Sequence, residues 1–218
     1  MWYLKFKLQH RDCIYTQKTK KFKIKDFMYP LGEYVEKGVH LFSAIHILEG
    51  KESNKKKYIS YLRNCKKVIK LEISQNVIFT LVKEENYTSK YKQVYNSKLF
   101  FPSPMINSDD GFEYWEIASW DRTALANIIN LEKSKIFIHF EIIKFVEKKL
   151  DEVYLLQLLP RLSLKQRETF ELAVNKGYYK FPKKTNLNEI AKIMRVSKSA
   201  VHEFLSRAES KIIPFLNK

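Results

Sequence analysis

The chain has 218 residues, of which 45% are hydrophobic and 29% are charged, as expected for one large or two small globular domains. Its formal net charge of +16 favours a polyanionic partner, either nucleic acid or an acidic membrane face. The 2 cysteines make no disulfide framework, and no apolar run approaches the ~20 residues of a membrane-spanning helix. We therefore expect a cytoplasmic protein with reduced thiols and no membrane segment.

The first third of the chain has a strand-rich pattern. Apolar and polar residues alternate over residues 2–9, which predicts a half-buried strand. Residues 10–37 are basic and aromatic, with breaks at Pro30, Gly32 and the following Gly38, and are compatible with a short helix. The elements predicted next are a buried strand at 39–48, a helix at 54–64 with Ser53 as N-cap, and strands at 67–73 and 76–82 around a Ser74-Gln75 turn.

A second group of elements repeats this order more weakly. A loop-rich segment at 84–111 separates the two groups. The predicted elements are a strand at 112–119, a helix at 121–132 with Asp121 as N-cap, and a strand at 135–145. Units of strand, helix and strand predict split βαβ, ferredoxin-like antiparallel sheets, and so an α+β fold for this part of the chain.

The sequence divides into three segments. Residues 1–147 form the predicted α+β domain, which we expect to sense a ligand or to dimerise. Residues 148–161 are charged first and then apolar, which indicates a short linker helix that Pro160 ends. Residues 162–218 form an all-α domain. Positive charge is concentrated there, because residues 160–218 hold 13 basic and 5 acidic residues, as expected for contact with phosphates.

The all-α segment has a start and a stop signal for each helix. A capping box opens the first helix, a glycine follows its end, a second capping box opens the second helix, and a serine caps the third. The residues are Ser163 with Gln166, Gly177, Asn186 with Glu189, and Ser197. A small Ala191, a tight turn at Arg195-Val196 and an inward Val201 complete the pattern of a helix-turn-helix.

The third helix, residues 198–212, is the predicted recognition helix. Its exposed first turns would enter the major groove, where Lys198, Ser199 and His202 reach base edges. The other predicted DNA-binding residues lie beyond these turns or in the preceding basic and aromatic loop, and most suit phosphate contacts. They are Ser206, Arg207, Lys211, Lys183 and Lys184. The alternative for each cation is a solvated surface charge.

Residues 162–213 resemble the archaeal bacterio-opsin-activator type of helix-turn-helix. The resemblance is carried by short motifs in each helix and in the loop between the first two. They are Gln166-Arg167, Gly177-Tyr178-Tyr179, Pro182-Lys183, Ile190-Ala191, Ser197 and Arg207-Ala208, with Arg195 where the turn often has glycine. The resemblance implies an archaeal transcription regulator with a variable N-terminal region. A looser resemblance extends to region 4 of bacterial sigma factors.

The sequence therefore predicts a sequence-specific regulator that binds double-stranded DNA at the nucleoid. We expect a homodimer, because two such domains would match a palindromic site, and a small-molecule effector is compatible with the N-terminal domain. Aromatic residues offer one dimer face, with plain core as the alternative: Trp2, Tyr3, Tyr114, Trp115 and Trp120. The alternative function is an adaptor that contacts the basal transcription machinery and binds DNA weakly.

No cofactor, metal or catalytic site is predicted. His46 and His139 lie in apolar strands and are expected to be core or edge residues. His10 and Cys13 are three positions apart, which is half of a metal site, but no partner pair is visible. An enzyme acting on nucleic acid would need a carboxylate cluster for metal-ion chemistry, and the sequence shows none.

Overall fold

The computed structural model describes residues 1–74, 77–84, 96–134, 137–150 and 162–216. The chain divides into an N-terminal unit, Met1–Leu155, and a C-terminal unit, Leu156–Lys218. The predicted linker helix spans residues 148–161, and residues 151–161 lie outside the described ranges. The linker and the roles of the segments on either side of it stay predictions.

The described part of the N-terminal unit has eight strands and three α-helices. The strands are β1 (Trp2–His10), β2 (Lys25–Glu36), β3 (Val39–Glu49), β4 (Val68–Ser74), β5 (Val77–Glu84), β6 (Met105–Asn107), β7 (Glu113–Ser119) and β8 (Phe137–Glu147). The helices are α1 (Thr16–Phe22), α2 (Glu52–Asn64) and α3 (Arg122–Asn130), which a 3-10 turn at Leu131–Ser134 follows.

All eight strands form one antiparallel sheet in the order β4-β5-β3-β2-β6-β7-β1-β8. Strand β5 lies between β3 and β4, which α2 connects, and β1 lies between β7 and β8, which α3 connects. The outer strands of each trio are therefore parallel to each other, and this is the split βαβ arrangement, present twice. The predicted α+β class is confirmed, while the stricter ferredoxin-like description stays a prediction.

The structure differs from the sequence predictions at three places, although the short helix allowed within residues 10–37 is present as α1. Residues 25–36 form the long strand β2, which the sequence hides because only its first half alternates between buried and half-buried positions. The second half is part of an exposed hairpin with β3, turning at Lys37 and Gly38, both with positive φ. Helix α2 begins at Glu52 after Lys51, so Ser53 lies inside the first turn and is not the N-cap. The short strand β6 lies in the segment predicted as a loop.

Alternate residues of the strands build the core of the N-terminal unit. Leu4, Phe6 and Leu8 of β1 are buried on one face, where Tyr58 of α2 and Leu125 of α3 join the same cluster. Full burial of each such apolar side chain contributes roughly 1.5–3 kcal/mol relative to exposure. Asp121 is the N-cap of α3, as predicted, and its side chain accepts from the Thr123 amide.

A buried polar network crosses this core. Asp26 accepts hydrogen bonds from the Tyr58 hydroxyl at 2.8 Å and from His46 Nδ1 at 3.0 Å, and His46 Nε2 lies 2.9 Å from Thr80 Oγ1. All four side chains are buried. Asp26, His46 and Thr80 belong to strands β2, β3 and β5, and Tyr58 belongs to α2. His46 is thus a satisfied core residue, as predicted. His139 lies on the edge strand β8, 3.4 Å from Glu141.

The predicted aromatic dimer face is in part wrong. Tyr3 and Trp115 are buried within the N-terminal unit, so they belong to its interior. Trp120 is 79% exposed, and Trp2 and Tyr114 are half-buried. Dimerisation itself stays a prediction. Among the described residues, no helix has the length and apolar character needed to cross a bilayer.

The described part of the C-terminal unit consists of helices α4 (Leu164–Asn175), α5 (Leu187–Met194) and α6 (Lys198–Leu216). Their core is small and holds Ala173, Ile190, Ala191, Val201 and Leu205. Two apolar residues of α4, Leu164 and Val174, are 70% and 47% exposed. Gln166 and Thr169 take the inward positions of that helix because their side chains hydrogen-bond to nearby backbone.

Candidate nucleic-acid interface

Helix α4 has fixed ends. Ser163 Oγ accepts from the Gln166 amide while Gln166 Oε1 accepts from the Ser163 amide, so the predicted capping box is present. At the other end, Gly177 has φ +76° and the Tyr178 amide donates to the Ala173 carbonyl. This left-handed glycine closes the helix in a Schellman motif, as predicted.

The loop from Gly177 to α5 folds back on itself. The Lys184 amide donates to the Gly177 carbonyl at 3.0 Å. Lys183 Nζ lies 4.0 Å from the centre of the Tyr178 ring, which fits a cation–π contact. The Tyr179 hydroxyl donates to Glu209 on α6 at 2.6 Å, and burial together with that carboxylate raises the pKa of Tyr179. The two tyrosines thus hold the basic loop against the helices.

Helix α5 is capped by Asn186, whose side chain accepts from the amides of Asn188 and Glu189. The Glu189 side chain, which was expected to complete the capping box with Asn186, contacts side chains at this end of the helix. The Glu189 carboxylate accepts from the side chains of Thr185, at 2.6 Å, and Asn186, at 3.2 Å. Thr185 is buried, so it extends the cap into the interior of the unit.

A three-residue turn joins α5 to α6. Arg195 has φ 56° and ψ 45°, the left-handed conformation that glycine adopts most readily. The Val196 amide donates to the Ala191 carbonyl at 3.1 Å, a second Schellman closure. Ser197 Oγ then accepts from the Ala200 amide and caps α6, as predicted. The predicted tight turn is therefore made with arginine in the place of glycine.

Helix α6 has one buried and one exposed face. Val201, Leu205, Ala208 and Ile212 are buried. All predicted contact residues on this helix are exposed: Lys198, Ser199, His202, Ser206, Arg207 and Lys211. The first turns of α6 therefore present a continuous polar and basic surface on a rigid support.

Residues 162–214 match the family model described as HTH DNA binding domain. The C-terminal unit contains a helix-turn-helix DNA-binding domain of this family. Two similar proteins are named dimethyl sulfoxide reductase transcriptional activator. The one from Halobacterium salinarum is 46% identical over 52 residues, 24% of this chain and 23% of its own. The one from Haloferax volcanii is 41% identical over 54 residues, 25% of each chain.

The bacterio-opsin-activator-type resemblance is thus confirmed for the helix-turn-helix domain. The chain matches only about a quarter of the length of these relatives. The similarity therefore concerns the domain that binds DNA and carries no information about the N-terminal unit.

Both predicted DNA-contacting cations in the second half of α6 have partners within the protein. Arg207 Nη2 lies 2.6 Å from Glu203 Oε1, one helical turn earlier. Lys211 Nζ donates to Gln166 Oε1 at 3.2 Å, which ties α6 to the capping box of α4. Their predicted role as phosphate contacts stays a prediction. Sequence reasoning passed over Glu203, although its spacing of four residues from Arg207 is a signal for such a pair.

The domain also has a cation that sequence reasoning did not assign to DNA. Arg195 is exposed and lies two residues before the N-cap of α6. Its side chain adds positive charge beside the end of the helix where backbone amides and the helix dipole favour phosphate. Lys183 and Lys184, which were predicted, are exposed in the neighbouring loop.

Proposed function

We propose that the protein is a sequence-specific, DNA-binding transcription regulator whose helix α6 enters the major groove. The observation that carries this proposal is the division of α6 into a buried face and an exposed, polar N-terminal surface. Lys198, Ser199 and His202 are exposed within its first five residues. Side chains of these types can pair with base edges in the major groove. The names of the two relatives, both transcriptional activators, support a role in transcription.

Phosphate contacts would position the domain without specifying sequence. Lys183, Lys184 and Arg195 are exposed around the start of α6, and Ser206, Arg207 and Lys211 follow along it. The five cations among them would neutralise phosphates and make binding strongly dependent on salt. A protein that acts in this way works in the cytoplasm, at the nucleoid.

We also propose that the N-terminal unit dimerises and that it is the part of the chain that would bind a small-molecule effector. The two edge strands of the described sheet, β4 and β8, each expose isoleucines that an added strand would cover. They are Ile69 and Ile73 on β4, and Ile138, Ile142 and Ile143 on β8. A twofold dimer would set two recognition helices about one or more helical turns of DNA apart, as a palindromic site requires.

The proposal is tested by selecting binding sites from random DNA with the full chain and measuring affinities for the selected site and for random DNA. We expect Lys198→Ala and His202→Ala each to lose about 1–3 kcal/mol of discrimination between these two DNAs. Lys183→Ala should weaken binding to both DNAs alike and lower the salt slope by about one.

Lys56→Ala is the matched control, because it removes the same charge from an exposed position on α2 of the N-terminal unit, away from both edge strands. It should leave discrimination unchanged. If no sequence is enriched and the Lys198 and His202 variants bind as the unaltered chain does, the recognition role of α6 is wrong. Recovery of polymerase or initiation factors with the chain would then favour the adaptor function.

A further inference from the structure

Three metal-ligating side chains that are distant in the sequence meet in the N-terminal unit. His10 ends β1, Cys13 follows in the loop before α1, and Glu113 begins β7. Their ligand atoms all lie within 4.8 Å of one another, and His10 Nε2 is 3.0 Å from Glu113 Oε1. The sequence showed only the half-site of His10 and Cys13, because the pairing of β1 with β7 brings in the third residue from a hundred positions away.

The hydrogen bonds around the cluster orient its ligand atoms. The amides of Tyr15 and Thr16 both point at Cys13 Sγ, each at 3.4 Å. A neutral thiol is a weak acceptor, so two converging amides suit a metal-bound thiolate better. Trp115 Nε1 donates to Glu113 Oε2 at 3.0 Å, which fixes the carboxylate with its other oxygen toward His10. Such outer contacts are typical of the second shell of a metal site.

Two polar atoms of the cluster are buried and have no hydrogen-bond partner of good geometry among the described residues. They are His10 Nδ1 and Glu113 Oε1, the carboxylate oxygen that lies 3.0 Å from His10 Nε2. Buried polar side-chain atoms are paired in the large majority of cases, since leaving one unpaired costs about 1–3 kcal/mol. A cation between Glu113 Oε1 and His10 would give that carboxylate oxygen the partner that it lacks. The His10 side chain is 21% exposed, which leaves a path for an ion from solvent.

We propose that His10, Cys13 and Glu113 bind one divalent cation of borderline softness, for which Zn²⁺ is the best fit. One imidazole, one thiolate and one carboxylate match the preferences of Zn²⁺, whereas Mg²⁺ and Ca²⁺ require oxygen ligands throughout. Three protein ligands leave the fourth tetrahedral position for water or a small molecule. The ion would join the end of β1, the following loop and the start of β7.

Cobalt titration of the purified full chain tests the proposal, because Co²⁺ occupies zinc sites and a thiolate ligand gives it a charge-transfer band in the near ultraviolet. We expect one Co²⁺ per chain, displaced by one equivalent of Zn²⁺. Cys13→Ser should abolish the band. Cys65→Ser is the matched control, since it removes the other free cysteine and leaves all three ligands in place. It should keep the band at full strength.

The Trp115→Phe variant tests the geometry more finely, because it keeps the three ligands and removes the hydrogen bond to Glu113. We expect it to weaken Co²⁺ binding by about 10–100-fold, the range for loss of an outer-shell contact. Circular dichroism of each variant establishes that the sheet is formed.

A measurement that needs no variant covers the case in which Cys13→Ser does not fold. The X-ray absorption spectrum of the unaltered chain with one equivalent of Zn²⁺ should show one sulfur at about 2.3 Å beside nitrogen or oxygen at about 2.0–2.2 Å. A spectrum without sulfur, a chain that binds no Co²⁺, or a band that survives in a folded Cys13→Ser variant would overturn the proposal and leave the three residues as a structural ion-pair cluster.

Discussion

The two units bury polar groups in different ways. The N-terminal unit places the carboxylates of Asp26 and Glu113 in its interior, where side chains distant in the sequence contact them: His46 and Tyr58 for Asp26, and His10 for Glu113. The buried polar residues described in the C-terminal unit are Gln166, Thr169 and Thr185. Their uncharged side chains each bond to a group within a few positions along the chain, and Gln166 also accepts from Lys211. Interior polar contacts thus specify long-range strand pairing in one unit and local helix ends in the other.

The largest effect that follows from this difference is expected at Asp26. Asp26→Ala leaves His46 Nδ1 and the Tyr58 hydroxyl without their acceptor. We expect a loss of about 3–5 kcal/mol in the free energy of unfolding, the usual cost of removing one partner from a buried pair. Tryptophan fluorescence during urea unfolding measures it, because all 3 tryptophans lie in the N-terminal unit.

Glu132→Ala is the control for Asp26→Ala, since it removes an exposed carboxylate from the same unit. It should change the free energy of unfolding by no more than about 0.5 kcal/mol. Equal effects of the two variants would show that the buried network does not stabilise the sheet.

The next effect concerns the small core of the C-terminal unit. Ile190 of α5 is fully buried, whereas Ile193, on the same helix, is 53% exposed. Ile190→Ala should cost about 2–5 kcal/mol and abolish DNA binding through loss of the three-helix support. Ile193→Ala should cost little. Circular dichroism and DNA affinity measure both, and the tryptophan signal should stay the same in each. Matching losses in the two variants would contradict the observed packing of α5.

The smallest effect is expected at the turn before α6. Arg195 holds a left-handed conformation, which costs a non-glycine residue roughly 1–2 kcal/mol. Arg195→Gly should stabilise the C-terminal unit by about 0.5–1 kcal/mol, because the greater freedom of glycine in the unfolded chain offsets part of the gain.

Arg195→Ala separates conformation from charge in that comparison. It removes the same charge and keeps the Cβ atom, so thermal unfolding followed by circular dichroism should show no gain in stability. Both variants should bind DNA more weakly by a similar factor. A gain of equal size for alanine would mean that the charge of Arg195, and not its backbone conformation, destabilises the turn.

The same contrast explains what could be predicted from the sequence. Ser163, Gly177, Asn186 and Ser197 were placed correctly because each signal lies within a few residues of the amide or carbonyl that it satisfies. The split βαβ order also followed from local periodicity.

The features that the sequence did not reveal depend on contacts between distant residues. Strand β2 was missed because the exposed end of its hairpin lacks alternation. The contact of Glu113 with His10 has no signal in the sequence, because only the register of β1 against β7, with Leu8 opposite Glu113, brings the two residues together. No pattern within either strand contains that information.

The position of β1 in the sheet has a consequence for synthesis. Residues 2–10 leave the ribosome before the other strands of the sheet, yet both neighbours of this strand, β7 and β8, come more than a hundred residues later. The strand must therefore wait until about residue 147 has emerged before it can pair on both sides, and contacts of such long range slow folding. Until β7 has emerged at about residue 119, β1 with its apolar residues Leu4, Phe6 and Leu8 has no partner strand, which makes it a natural site for chaperone binding.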